Sequence, residues 1–243
     1  MSSLLYISGD SYAVENGSAY SDAIRHKGIF DKVLNVSVNG SCNSRIFRVA
    51  LRDLIEKKTQ FSDISVIISL SFTIRTELWD TTHKENRFRS CNDGDFYSVQ
   101  FATEKDWFKN LSFLNSNPVD QYKNGWLYYH NVESANTVLL QQIIMFTSWC
   151  KLNNIKYVIF SGPVVEPCDV HAPFIKPFAD EVAKDNSVLD LFTFSFTQWC
   201  LSKGFLPIDD FTQEINGKTF VVGHHGPEAH LAFANFLVEN NLI

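Results

Sequence analysis

The chain has 243 residues and a net charge of −6, with 45% apolar and 20% charged residues, a composition that can bury a core and argues against disorder. Lys and Arg form no run long enough to track a phosphate backbone, which sets nucleic acid aside as a primary ligand. Five cysteines (Cys42, Cys91, Cys150, Cys168 and Cys200) are scattered without a Cys-x-x-Cys pair, so neither a disulfide framework nor a zinc site is indicated, and a reducing compartment is the simpler reading.

The first apolar run, Leu4 to Ile7, ends at Ser8. It is too short for a signal peptide or a membrane span, so a cytoplasmic protein with no membrane partner is expected. From there, short apolar runs alternate with helical stretches, the pattern of βα units around a parallel sheet. Strands are expected at about 3–8, 32–37, 64–70 and 155–160, and helices at 17–28, 43–58, 132–153, 195–203 and 227–240. Ile64 to Leu70 is apolar on both faces, as a central parallel strand requires. Ile46, Val49, Ala50 and Leu54 recur at helical spacing, and Pro227 suits the first turn of the last helix. The stretch 72–131 breaks this rhythm and holds 13 of the 34 aromatic residues. It reads as an insertion with structure of its own, including a helix around 98–115. Its rings serve either to wall a substrate cleft or to build a satellite core. No repeat or Pro/Gly linker divides the chain, which reads as one domain over 1–243.

Three turns at the expected carboxyl edge of the sheet carry residues with chemistry, and that edge is where open α/β folds bind ligands. Gly9-Asp10-Ser11 leaves the first strand, and a serine there can act as a nucleophile once a base takes its proton. The plainer role for Asp10 or Ser11 is to cap the turn. Val38-Asn39-Gly40-Ser41-Cys42-Asn43-Ser44 follows the second strand. Its glycine lets a backbone N–H approach a ligand and its Asn43 can add a donor, although an Asn-Gly turn with Asn43 or Ser44 as helix cap would use the same residues. At the other end, Gly223-His224-His225-Gly226-Pro227 opens the last helix and can deliver an imidazole. His83, His130 and His171 have no i,i+4 partner, so no metal site is expected.

With these blocks the chain resembles the SGNH/GDSL hydrolases, a family of esterases, lipases and carbohydrate deacetylases. The resemblance runs from residue 4 to about 237 and rests on short motifs. It implies a three-layer α/β/α domain with a flavodoxin-like parallel sheet, Ser11 as nucleophile, Gly40 as oxyanion donor and no cofactor. His224 is the implied base, because Ala229 and His230 fit the family's small and polar residues at the fifth and sixth positions after it. His225 is the rival.

Two departures mark a divergent member. Val221 and Val222 stand where the family aspartate precedes the histidine, which leaves a dyad unless Asp209, Asp210 or Glu214 folds back. Ser69-Leu70-Ser71-Phe72-Thr73-Ile74-Arg75-Thr76-Glu77 replaces the Gly-x-Asn-Asp block. Thr73 and Arg75 stand near the missing asparagine, and a guanidinium binds an oxyanion or carboxylate well; an ion pair of Arg75 with Glu77 or Asp80 is the scaffold alternative. This variant resembles a group common in phage-type genomes. The expectation is a serine esterase or deacetylase acting by acyl-enzyme on an O-acylated substrate, a carbohydrate or other small-molecule ester, with a non-catalytic binding module or virion component of the same fold as the alternative.

Overall fold

The structure, a computed structural model, describes residues 2–14, 19–73, 75–79, 92–93, 96–100, 132–163, 169–208, 212–215, 218–221 and 223–243. Strands β1 (Ser3–Ser8), β2 (Lys32–Asn35), β3 (Asp63–Leu70) and β7 (Lys156–Ser161) form a parallel sheet in the order β2-β1-β3-β7. Parallel bridges from Ile159 to Val188 and from Ser161 to Ser195 extend its far side. The order begins as the flavodoxin-like sheet does. Alternation along the strands splits the core in two. Leu4, Tyr6, Val66 and Ile68 face α2 (Asn43–Lys57), α3 (Val132–Leu152) and α4 (Lys176–Val182). Leu5, Ile7, Ile67 and Val158 face α1 (Tyr20–Lys27), α5 (Phe196–Ser202) and α6 (Pro227–Glu239). The fold is therefore a three-layer α/β/α sandwich, as the alternating pattern predicts. Each fully buried Leu, Ile or Phe in these layers contributes roughly 1.5–3 kcal/mol.

Most boundaries fall within two residues of expectation. The helix expected at 17–28 starts only at Tyr20. The second strand ends at Asn35, short of 37, yet Val36 and Val38 donate to the carbonyls of Ile7 and Gly9, so the chain stays beside β1 past the strand itself. Helix α2 is capped by Cys42, with Asn43 as its first residue, which corrects the expectation that Asn43 or Ser44 is the cap.

Within the insertion, the expected helix around 98–115 meets a correction at its start. Ser98–Gln100 belong to β6 (Phe96–Gln100), which pairs antiparallel with β4 (Arg75–Trp79) and with β5 (Asn92–Asp93). Aromatic and β-branched residues at 96–99 satisfy a strand's pleat better than a helix surface. Residues 101–115 lie outside the described residues. A further antiparallel pair, β8 (Thr212–Ile215) and β9 (Lys218–Val221), precedes the last helix. Among the described residues no helix is long and apolar enough to cross a membrane.

Candidate active site

The exit of β1 is held tightly. A Cβ on Gly9 would lie 2.8 Å from the Cβ atoms of both Ala13 and Ser69, closer than real Cβ contacts, so only glycine lets this turn lie against β3. Asp10 is fully buried; its carboxylate accepts the Tyr12 N–H at 3.2 Å and its carbonyl accepts the Ala13 N–H at 3.0 Å. This is the capping role open to Asp10 in the sequence. From Leu4 to Ala13 every residue is buried except Ser11, which is half-exposed. The turn thus presents a single hydroxyl at the sheet edge.

The exit of β2 lies alongside. Val38 donates to Gly9 at 3.2 Å, and the Ser41 N–H returns to the Val38 carbonyl at 3.1 Å. Gly40 sits third in that four-residue turn at φ +75°, a conformation glycine adopts without penalty and type II turns demand. Asn43 is buried at the start of α2, and its amide clamps the backbone of Ser71 beyond β3. Nδ2 donates to the Ser71 carbonyl at 3.1 Å and Oδ1 accepts the Ser71 N–H at 2.8 Å. One of the two Nδ2 hydrogens is thereby committed to the scaffold.

Thr73 lies past β3 on the wall of a cavity of about 20 Å³, shared with Ser71, Asn136, Leu139, Ser161 and Phe192, room for about one water. Arg75 is placed by its backbone at the start of β4, opposite Gln100; its side chain lies outside the described residues. Gly162, after β7, donates to the Leu70 carbonyl at 2.9 Å. A Cβ there would lie 3.1 Å from the Cβ of Tyr12, so the β7 exit also packs onto the residue following Ser11.

The two adjacent histidines occupy different surroundings. His224 is half-exposed, with its ring centroid 5.2 Å from that of Tyr12, and its carbonyl accepts the Ile208 N–H at 2.8 Å. His225 is 4% exposed, bridges Pro207 through its backbone and meets the Phe196 ring edge-on at 5.7 Å. His230, one turn into α6, stacks on Tyr20 and lies 4.9 Å from Phe196. Burial, reinforced by the neighbouring imidazoles of His225 and His224, lowers its pKa to about 4, so it is neutral at ordinary pH. Val221 closes β9 opposite Thr212. Asp209 and Asp210 lie outside the described residues, as does the side chain of Glu214. Among the described residues no cluster of three or more His, Cys, Asp or Glu is suited to a metal ion.

The structure thus draws Ser11, Gly40, Asn43, Thr73 and His224 to the carboxyl edge of one sheet, through turns tied to one another. Tyr12, Ser41 and Arg45 also join this edge and were not singled out from the sequence. Arg45 carried a readable signal: it is a cation in the first turn of a helix, where the macrodipole favours anions.

No family model matches the chain, and no curated protein matches its sequence. Among solved structures, the chain is similar to TesA, at 12% identity over 99% of each chain with a TM-score of 0.47. It is similar to the psychrotrophic esterase EstA from Pseudoalteromonas sp., at 11% identity over 97% of this chain and 94% of that one, TM-score 0.48. The acetyl xylan esterase AlAXEase is 11% identical over 98% of each chain, TM-score 0.46.

Proposed function

We propose that the chain is a serine ester hydrolase of the SGNH/GDSL type. The observation that carries this reading is the exposure of Ser11 alone in an otherwise buried turn, with the ring of the next residue, Tyr12, beside that of His224. Ser11 Oγ attacks the ester carbonyl while His224 takes its proton, and the amides of Ser11 and Gly40, with Asn43, hold the oxyanion. The imidazolium returns the proton to the leaving alcohol as the ester C–O bond breaks, leaving an acyl-serine. Water, deprotonated by the same imidazole, then releases the carboxylic acid and restores Ser11. His224 is favoured over His225 as base because the first ring is accessible at the turn and the second is packed against Phe196. Val221 and Val222 in place of a carboxylate make this a dyad, which turns over slowly because the imidazolium is less stabilised. Arg75 supplies a guanidinium to the oxyanion or to a substrate anion, and Arg75→Ala lowers kcat on the order of 10²-fold.

An O-acylated carbohydrate is the favoured substrate class, supported by the aromatic content of 72–131, since sugar faces stack on rings. A fluorophosphonate probe followed by peptide mapping tests the reading. Labelling at Ser11, lost in Ser11→Ala, together with hydrolysis of a short aryl ester, is the expected result. A folded chain that is neither labelled nor hydrolytic would be a binding module of this fold.

A further inference from the structure

Arg45 is 6% exposed in the first turn of α2, a place that costs a cation twice: burial strips its water, and the helix dipole repels it. No acidic residue shares that turn. The guanidinium donates from Nη1 to Ser41 Oγ at 3.1 Å. The same hydroxyl donates to the Val38 carbonyl at 2.8 Å, and that carbonyl also accepts the Ser41 N–H. Val38 in turn donates to the carbonyl of Gly9, two residues before Ser11. Hydrogen bonds and the Val38 backbone between them therefore link the guanidinium, through the turn that holds Gly40, to the turn that carries the serine.

We infer that Arg45 is a positioning residue, which acts through Ser41 to hold the Gly40 N–H at the angle an oxyanion requires. The inference rests on the reading of the chain as a serine hydrolase. With a charged donor on its oxygen, the Ser41 hydroxyl has its own hydrogen directed at Val38, and the turn is closed by two bonds where most have one. Charge-assisted bonds are the stronger kind, and a small displacement of a donor costs catalysis far more than it costs binding. The burial of a positive charge beside this turn is unfavourable in the resting protein, and a negative charge developing at Gly40 offsets it. That is the sense in which the arrangement favours the transition state over the free site.

The test compares Arg45→Met, Arg45→Lys, Ser41→Ala and the double variant with the unaltered chain on a short aryl ester, with thermal unfolding in parallel. Arg45→Met should lower kcat about 10- to 100-fold with KM within about twofold. Ser41→Ala should reproduce that loss, the double variant should be no worse than either single one, and Arg45→Lys should recover part of kcat by restoring one charged donor. Should Arg45→Met fail to fold, Ser41→Ala and Arg45→Lys carry the same comparison. Folded variants with full kcat, or effects that multiply in the double variant, overturn the role of Arg45 while probe labelling of Ser11 persists. An unaltered chain that the fluorophosphonate does not label removes the hydrolase reading itself, and this inference with it.

Discussion

Against one face of the sheet, Tyr20, Phe160, Phe196 and Phe233 meet in tilted and edge-to-face contacts, with Phe233 4.9 Å from Phe196 and 5.0 Å from Phe160. Against the other face, α2 and α3 bring Ile46, Leu54, Leu140 and Ile143. The two faces position the candidate site by different means. On the aromatic face, rings with directional contacts fix the loop before α6 and the first turns of that helix, burying His225 and His230 and leaving His224 over Tyr12. On the other face, where aliphatic side chains predominate and one ring pair, Phe47 and Phe146, meets at 5.3 Å, the turns are pinned by hydrogen bonds from the first turn of α2: Asn43 to Ser71 and Arg45 to Ser41.

Exchanging the roles of the two histidines is the hardest blow to this comparison. His224→Ala should lower kcat by about 10⁴-fold or more, as loss of a base in such sites does. His225→Ala should instead lower Tm and leave most of kcat in the folded fraction. Abolished turnover in folded His225→Ala, with His224→Ala still active, would reverse their roles. Packing gives the next largest effect: Phe233→Ala should cost about 3–5 kcal/mol in urea unfolding, against about 2–5 kcal/mol for Ile143→Ala on the opposite face. Equal losses for these two would show that the aromatic contacts add nothing particular.

A pH series sharpens the aromatic side further. The folded pKa of His230 is about 4 against an ordinary 6.5. Above pH 6.5 the residue is neutral in both states and its burial costs nothing in protons. As pH falls towards 4 the unfolded chain binds a proton that the native state refuses, so stability should drop by about 3 kcal/mol in full. His230→Gln should flatten that part of the profile; a profile unchanged by it would place the acid sensitivity elsewhere. The smallest effect belongs to the hydrogen-bonded side, where Asn43→Ala should cost about 1–3 kcal/mol by removing both bonds to Ser71. A neutral result would mean that water replaces the clamp.

The frame of the fold was legible because strands such as Ile64 to Leu70 and helices such as 43–58 carry their period in a short window. Helix α4 was not anticipated: its seven residues include Pro177 near the start and bury only Val182 fully, so no apolar stripe announces it. The β8–β9 pair was missed although Asn216-Gly217, a strong hairpin signal, stands between the two strands. At the site, the sequence placed Ser11, Gly40 and Thr73 after successive strands, because topology puts such residues at one edge. Which partner each side chain holds was not legible. The sequence marks Asn43 as a donor to substrate but gives no sign that its amide also clamps Ser71, 28 positions away, a contact that exists only once α2 and β3 have packed. The surroundings that separate His224 from His225 likewise come from Tyr12 and Phe196, residues remote in the chain.

The bond from Val38 to Gly9 has a mechanical consequence. Helix α2 begins just after the Gly40 turn, and a turn hung only from that helix would follow it away from Ser11. Fastened to the carbonyl that precedes Asp10 and Ser11, the Gly40 turn instead drags the serine turn along with it. The two turns are thus coupled through their backbones, and a shift of one is passed to the other.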